Sequence, residues 1–222
     1  MAENLRPDDQ LEINKSSSFF LENYIVGIGA SAEGLEAIME FFDNVLKDTG
    51  CSYIIVQHLS PDYKSLMPEL LQKHTGMKVC EAEDKMLVKS DCIYLIPHKK
   101  NMTIAYGKLH LIDKQKSQII GMTINIFFNS LPAYKKEKAI AVVLSGTGSD
   151  GSRGLETIKK TGGMTIVQDP LTAKFDGMPM SALATNIVDF ILSPDLMPQE
   201  ILDYIHDIPH EALAVPYSSA GN

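Results

Sequence analysis

The chain has 222 residues, of which 45% are hydrophobic and 22% are charged, and its formal net charge is −8 at pH 7. This composition is typical of a globular protein, and the length suits one large domain or two small ones. The acidic balance argues against binding to nucleic acid, which would need a basic face. No apolar run approaches the roughly 20 residues that span a bilayer, so we expect no insertion into a membrane.

The cysteines and the chain ends narrow the class of protein further. Cys51, Cys80 and Cys92 are odd in number and include no C-x-x-C pair. They indicate reduced thiols in a cytoplasmic protein and argue against a zinc site. The first 18 residues are polar and do not resemble a signal peptide. We predict a leader or linker at 1–20, one domain at 21–206 and a tail or linker at 207–222.

The chain then alternates between strand-like and helix-like segments. Residues 24–29 are mostly apolar and predict a short buried strand, and from Leu35 the apolar residues recur at helical spacing. Further strands are predicted at 51–58, 77–80, 139–145, 164–168 and 188–192, and further helices at 64–74, 122–134, 152–161, 179–186 and 198–206. Residues 92–97, 102–106 and 109–112 are also strand-like, and Gly107-Lys108 between the last two predicts a hairpin.

This alternation is typical of a parallel sheet that is covered by helices on both faces. We therefore predict an α/β fold with a doubly wound, mostly parallel sheet. The hairpin in the 92–112 region is expected to extend one edge of that sheet in the antiparallel direction.

Three polar residues stand where predicted strands end. Ser31 follows the first strand, His58 ends the second, and Asp150 comes five residues after the strand at 139–145. Ligands of open α/β sheets bind beyond the carboxyl ends of the strands, so we expect the three side chains to meet there. Serine, histidine and aspartate can act as a nucleophile, a base and the residue that orients the base. The pattern therefore favours a serine hydrolase.

Each of these residues also has a structural interpretation. Ser31 can simply cap the helix that follows it, Asp150-Gly151 is common in turns and at helix N-caps, and His58 can be a hydrogen-bonded strand-end residue. Their coincidence at three strand ends favours the triad. The chain order Ser, His, Asp differs from that of α/β-hydrolases, which indicates a different α/β fold.

A dinucleotide-binding site is the rival interpretation of the first turn. Gly27-Ile-Gly29-Ala-Ser-Ala32 fits the pattern G-x-G-x-x-A after a strand. That motif also requires an acidic residue about 20 positions later, at the end of the second strand, to bind the ribose. The second strand ends in Gln57 and His58 instead, which argues against a nucleotide cofactor.

Six collinear stretches resemble the catalytic domain of the chemotaxis protein-glutamate methylesterases, the CheB family. The stretches are Val26-Gly-Ile-Gly-Ala-Ser-Ala-Glu-Gly-Leu35, Val56-Gln-His-Leu-Ser-Pro-Asp62, Glu81-Ala-Glu-Asp84, Ile93-Tyr-Leu-Ile-Pro97 with Asn101-Met102, Leu144-Ser-Gly-Thr-Gly-Ser-Asp-Gly151, and Phe175-Asp-Gly-Met-Pro179 with Ser181-Ala182. Several motifs in the same order are far more specific than any one of them.

The resemblance implies an esterase that removes methyl groups from glutamate methyl esters on the cytoplasmic helices of chemoreceptors. Some family members also deamidate receptor glutamines. The motif match implies six site residues: the nucleophile Ser31, the general base His58, the orienting Asp150, the oxyanion N–H donors Ala32 and Thr147, and the neighbouring Met178. It implies no metal and no cofactor.

Some features depart from the family pattern. Glu33 stands in the nucleophile turn where typical members have glycine, and a carboxylate that points inward there would disfavour an oxyanion. Lys85 also replaces a glycine, and Gly121-Met-Thr-Ile-Asn125 replaces an Arg-Pro-Ser-Val-Asp-like stretch. The residues before the domain are too few for a receiver domain, so we expect a catalytic domain from a longer chain with a methyltransferase or sensor domain. A catalytically silent interaction domain is the alternative function.

Overall fold

The computed structural model describes residues 23–57, 66–114 and 122–206. Its strands are β1 (Ile25–Ala30), β2 (Ser52–Gln57), β3 (Lys78–Glu81), β4 (Cys92–Leu95), β5 (Lys100–Ala105), β6 (Lys108–Asp113), β7 (Ala139–Val143), β8 (Met164–Gln168) and β9 (Phe190–Leu192). Its α-helices are α1 (Leu35–Asp43), α2 (Met67–Leu71), α3 (Thr123–Lys135), α4 (Ser152–Lys160), α5 (Gly177–Leu183) and α6 (Met197–Ile205).

The described strands include a seven-stranded parallel sheet in the order β3-β4-β2-β1-β7-β8-β9. β1 lies in the middle, between β2 and β7. The central strands β1, β2, β7 and β8 are buried along their whole length, as expected for a sheet with helices on both faces. The predicted α/β fold with a doubly wound parallel sheet is confirmed.

Alternate side chains of the strands enter two separate apolar cores, one on each face of the sheet. Val26 and Ile28 of β1 belong to the first core, together with Phe41 of α1. Ile25 of the same strand belongs to the second core, together with Phe127 of α3. Helices α1 and α6 cover the first face, and α3, α4 and α5 cover the second.

Helix α3 lies unusually close to the central strand, and two glycines make this possible. A Cβ atom on Gly29 would lie 2.5 Å from Cγ2 of Ile124, and one on Gly27 would lie 3.0 Å from the ring of Phe127. The distance at Gly29 is too short for a real side chain, and at Gly27 the ring would have to shift by a few tenths of an ångström. The glycine pattern that fits a dinucleotide motif is therefore explained here by the packing of a helix against a strand.

The predicted hairpin is present as the antiparallel pair β5–β6. It forms a two-stranded sheet of its own rather than the extension of the large sheet's edge that we expected. The reason lies in its apolar face, because Met102, Ile104 and Leu109 are buried in the core that α3 covers. Ser130 of α3 also accepts a hydrogen bond from the N–H of Ile104 at 3.0 Å.

Most predicted elements lie within a few residues of the observed ones. The largest difference is the helix predicted at 64–74, which is observed only as the single turn α2, although part of the prediction lies outside the described residues. The predicted leader at 1–20 and tail at 207–222 also lie outside them, so the domain bounds stay predictions. Among the helices that are described, none combines the length and apolar character needed to cross a bilayer.

Candidate active site

The carboxyl ends of β1, β2 and β7 lie side by side at the middle of the sheet. Ala30, which ends β1, is paired with Gln57 of β2, and Gly29 is paired with Val143 of β7. The chain leaves β1 toward β2 on one side and returns with β7 on the other. This is the topological switch point at which open α/β sheets bind ligands. Ser31 is the first residue beyond β1 and therefore lies at that point.

Ser31 begins a tight turn that leads into α1. Its backbone is extended, with φ −84° and ψ 179°, and its Oγ accepts the N–H of Glu33 at 3.3 Å as the N-cap of a 3-10 turn at Ala32–Gly34. The N–H of Ser31 donates to the carbonyl of Ser145 after β7 at 3.3 Å. The side chain is buried, with 4% of the residue exposed. Ser31 thus has the capping role, and its location at the switch point also suits a nucleophile.

Glu33 makes direct contact with the Ser31 hydroxyl. The Oγ–H of Ser31 donates to Oε2 of Glu33 at 2.6 Å. This hydrogen bond, and then the one from the backbone N–H of Glu33, lowers the pKa of the Glu33 carboxyl. Although Glu33 is exposed, its carboxylate is therefore directed toward the serine and not only toward solvent.

The turn after β7 lies against Ser31 because Gly146 has no side chain. A Cβ atom on Gly146 would lie 2.9 Å from Cβ of Ser31 and 2.3 Å from Sδ of Met178. The N–H of Met178 donates to the carbonyl of Gly146 at 2.7 Å, and the N–H of Gly146 donates to the carbonyl of Phe175 at 2.9 Å. Met178 is fully buried, so it forms an apolar wall of this region.

The two residues that the family resemblance implies as oxyanion donors lie in neighbouring turns. Ala32 is the first residue of the 3-10 turn that Ser31 caps. Thr147 is exposed and directly follows Gly146, whose missing side chain lets this turn approach Ser31. Gly146 therefore brings the turn that carries Thr147 close to Ser31.

Asp150 has a role that the sequence does not reveal. Its Oδ2 accepts the N–H of Ile124 at 2.8 Å, and its Oδ1 accepts the N–H groups of Asn125 at 2.9 Å and Gly151 at 3.0 Å. The carboxylate thereby caps the first turn of α3. A helix N-cap is one interpretation of Asp150 in the sequence, and the helix that it caps begins before it in the chain. Lys114 lies within its electrostatic reach, since the charge of Asp150 opposes the lowering of the Lys114 pKa by burial.

Two buried glutamines that the sequence analysis did not assign to the site fix its loops. Gln57, which ends β2, donates from Nε2 to the carbonyl of Ser31 at 2.9 Å. Gln168, which ends β8, accepts the N–H of Ser145 at its Oε1 at 2.7 Å. Both residues are the polar last residue of an otherwise buried strand. That pattern is visible in the sequence and is the signal by which these two glutamines could be predicted to hydrogen-bond the loops beyond the strands.

His58 lies outside the described residues, so its side chain has no described position. Its neighbour Gln57 ends the strand beside β1 and contacts Ser31 directly. The described ranges contain no group of three or more His, Cys, Asp or Glu residues that could hold a metal ion. The cysteines within them, Cys51, Cys80 and Cys92, are all free thiols.

Together the fold and these contacts define an α/β domain with a serine-centred site at the switch point of a parallel sheet. The family model described as CheB methylesterase matches residues 26–201. The chain therefore belongs to the CheB methylesterase family. The match includes every element from β1 to the middle of α6.

Two similar proteins have methylesterase names that agree with this assignment, and a third has no functional name. The crystal structure of the Thermotoga maritima CheB methylesterase catalytic domain superimposes with a TM-score of 0.73 at 27% identity, and the match covers 82% of this chain and 98% of that chain. A Methanococcus maripaludis protein-glutamate methylesterase/protein-glutamine glutaminase is 30% identical over 193 residues, which are 85% of this chain and 53% of that protein. A Rhodobacter capsulatus protein, described only as an uncharacterized 104.1 kDa protein, is 42% identical over 139 residues, which are 63% of this chain and 14% of that protein.

Proposed function

We propose that this domain is a protein-glutamate methylesterase that uses Ser31 as its nucleophile. The observation that supports this most directly is the position of Ser31, which lies at the switch point in contact with both neighbouring strand ends. Its carbonyl accepts from Gln57 of β2, and its N–H donates to Ser145 after β7. His58 directly follows Gln57, and Asp150 follows the β7 turn, so the chain presents the three triad residue types from three adjacent strands.

In the proposed reaction, Oγ of Ser31 attacks the carbonyl carbon of a glutamate methyl ester while His58 takes the hydroxyl proton. The tetrahedral intermediate then expels methanol, which receives that proton, and leaves an acyl ester on Ser31. Water attacks this ester with His58 again as the base, and glutamate and free Ser31 result. Asp150 orients His58 and stabilises its protonated form. No cofactor takes part in these steps.

The oxyanion of the intermediate would be held by the backbone N–H groups of Ala32 and Thr147. Such donors contribute on the order of 3 kcal/mol each to the stability of the transition state. Their proposed placement is supported by the close approach of the Gly146 turn to Ser31. Met178 is fully buried against Gly146 and is proposed to keep water away from that side.

The proposed substrates are methylated cytoplasmic helices of chemoreceptors, and receptor glutamines are proposed as a second substrate. We accordingly propose a cytoplasmic location and a role in chemotaxis or related sensory signalling. The family resemblance also leads us to propose a methyltransferase or sensor domain in the same longer chain, and a match to only 14% of one relative and 53% of another is compatible with this.

The test is methanol release from methylated receptor fragments, with Ser31→Ala as the matched control. Calorimetry with NAD on the same preparation tests the rival interpretation. We expect methanol from the wild type and none from Ser31→Ala. Tight NAD binding without any methanol release would overturn the proposal.

A catalytically silent interaction domain is the second candidate, and one contact favours it. The Ser31 hydroxyl donates to Glu33 and so is not available to a base in this arrangement. If the domain is silent, the wild-type protein would release no methanol. The Glu33→Gly variant would then release methanol at a measurable rate. Methanol release by the wild type would exclude this candidate.

A further inference from the structure

Both hydrogen-bonding functions of the Ser31 hydroxyl are directed to one residue. Its hydrogen goes to Oε2 of Glu33 at 2.6 Å, and its oxygen accepts the Glu33 N–H at 3.3 Å. A hydroxyl has a single hydrogen to donate. While the contact with Glu33 persists, that hydrogen cannot be donated to any other base.

We propose that Glu33 is a positioning residue that holds Ser31 in a resting orientation and so slows its attack on substrates. The proposal rests on Ser31 being the nucleophile of the proposed function. Two physical effects act in the same direction. The resting hydrogen bond has a charged acceptor and must be broken before attack, and the negative charge opposes an oxyanion that forms beside it.

The hydrogen bond between Ser31 and Glu33 can break readily, because Glu33 is exposed and water competes for its carboxylate. Lys174, from the loop between β8 and α5, pairs at 2.9 Å with Glu36, the second residue of α1. Glu36 is therefore a suitable control for Glu33. It is a glutamate three residues away, and its described ion pair is with Lys174.

The experiment measures the reactivity of Ser31 itself, with a fluorophosphonate and the full 222-residue chain. Oγ of Ser31 attacks phosphorus, the P–F bond breaks, fluoride leaves, and the hydroxyl proton passes through the base to solvent. The measured quantities are the maximal labelling rate constant and the concentration of reagent that gives half of it. Labelling of Ser31→Ala defines the background.

We expect Glu33→Ala to label about tenfold faster than the wild type, because it loses both the charge and the hydrogen bond. Glu33→Gln keeps a neutral acceptor and should lie between the two. The rise should appear in the maximal rate constant and not in the half-saturating concentration, since Glu33 acts on the nucleophile and not on binding. Glu36→Gln should label within twofold of the wild type.

Equal or slower labelling of Glu33→Ala would overturn the proposal, and so would the absence of Ser31 labelling in every variant. An equal rise in the labelling rate of Glu36→Gln would also overturn it, because the loss of any nearby negative charge would then have the same effect. The two proposals fail separately. Fast labelling of the Glu33 variants without methanol release would support the restraint on Ser31 and reject the methylesterase function. Methanol release with unchanged labelling would support the methylesterase function and reject the restraint.

Discussion

Asp150 caps a helix that begins before it in the chain, since its Oδ2 accepts the N–H of Ile124 at 2.8 Å. The same carboxylate accepts the N–H groups of Asn125 and Gly151. Asn125 in turn accepts the N–H of Gly154 at its Oδ1 at 2.8 Å. The start of α3 and the start of α4 are therefore joined through the loop that carries the proposed orienting residue. A change at Asp150 should alter both activity and stability.

The first prediction concerns this double role. Asp150→Asn leaves one oxygen and introduces an N–H₂ group, so at least one buried backbone N–H loses its acceptor. We expect the free energy of unfolding to fall by about 1–3 kcal/mol, measured by urea denaturation. Asp176→Asn is the matched control, because Asp176 stands at the N-cap of α5 without a side-chain capping bond and should change little. An unchanged urea midpoint for Asp150→Asn would show that the observed cap does not stabilise the fold.

The second prediction concerns Ser31 and His58 as a unit. Ser31→Ala, His58→Ala and the double variant should all lose similar ester-hydrolysis activity, because losses in such a unit are not additive. Asp150→Asn should lose less, since the nucleophile and base remain. His74→Ala, which removes a partly exposed histidine paired with Asp43, should keep full activity. A Ser31→Ala protein with full activity would leave Ser31 as a cap only.

Stability separates the two roles of Ser31. Its capping bond to the Glu33 N–H is long, at 3.3 Å, so Ser31→Ala should cost only about 0.5 kcal/mol, the low end for a lost N-cap. Urea denaturation of the same proteins measures this. A loss above about 1 kcal/mol would indicate that the two hydrogen bonds between Ser31 and Glu33 together have a substantial structural role.

The prediction of the site rests on strand ends, which are visible in hydrophobic patterns. A buried run followed by a polar residue marks a carboxyl end of a strand, and parallel strands bring those ends together. Ser31 and Asp150 were identified in this way. The hydrogen-bond partners of Asp150 could not be identified in this way, because its cap on α3 depends on how a distant helix packs against the sheet.

The contact between Ser31 and Glu33 shows a different limit. Their separation of two residues made contact possible, but only the backbone geometry of the turn decides whether a flexible side chain points to solvent or to the serine. The hairpin β5–β6 illustrates the same limit for a larger element. Its pairing was visible in the sequence, whereas its separation from the main sheet depends on the apolar face that it packs against α3.

The third prediction tests our explanation of the glycine pattern in β1. Gly29→Ala would place a methyl group 2.5 Å from Cγ2 of Ile124, which is too close, and should destabilise the fold by about 1–3 kcal/mol. Ile124→Ala removes that methyl group. The double variant should therefore be less destabilised than the sum of the two single variants, measured by urea denaturation.

Gly76→Ala provides the matched comparison, since a Cβ atom there would meet only Lys47, at 3.3 Å. Its effect should simply add to that of Ile124→Ala. Strict additivity of Gly29→Ala and Ile124→Ala would contradict the packing explanation. The G-x-G pattern would then be better explained by a ligand.

The last prediction concerns Lys135 at the end of α3, which is only 5% exposed. Burial of the ammonium group, assisted by the charge of Lys138, lowers the pKa of Lys135 to about 8. The unfolded chain has the ordinary value near 10.4, so between about pH 8 and pH 10.4 the unfolded state holds a proton that the folded state has released. The contribution of Lys135 to the free energy of unfolding therefore rises with pH across that window and is least favourable below pH 8.

Lys135→Met removes this titration. We expect the stability of the variant relative to the wild type to fall from pH 7 to pH 10, by at most roughly 3 kcal/mol. Comparing each variant with the wild type at the same pH cancels other groups, such as Cys51, whose pKa burial raises to about 11. Lys160→Met, at a side chain that is 75% exposed, is the control and should show little change with pH. A difference between Lys135→Met and the wild type that stays constant from pH 7 to pH 10 would mean that Lys135 is not held in a surrounding that disfavours its charge.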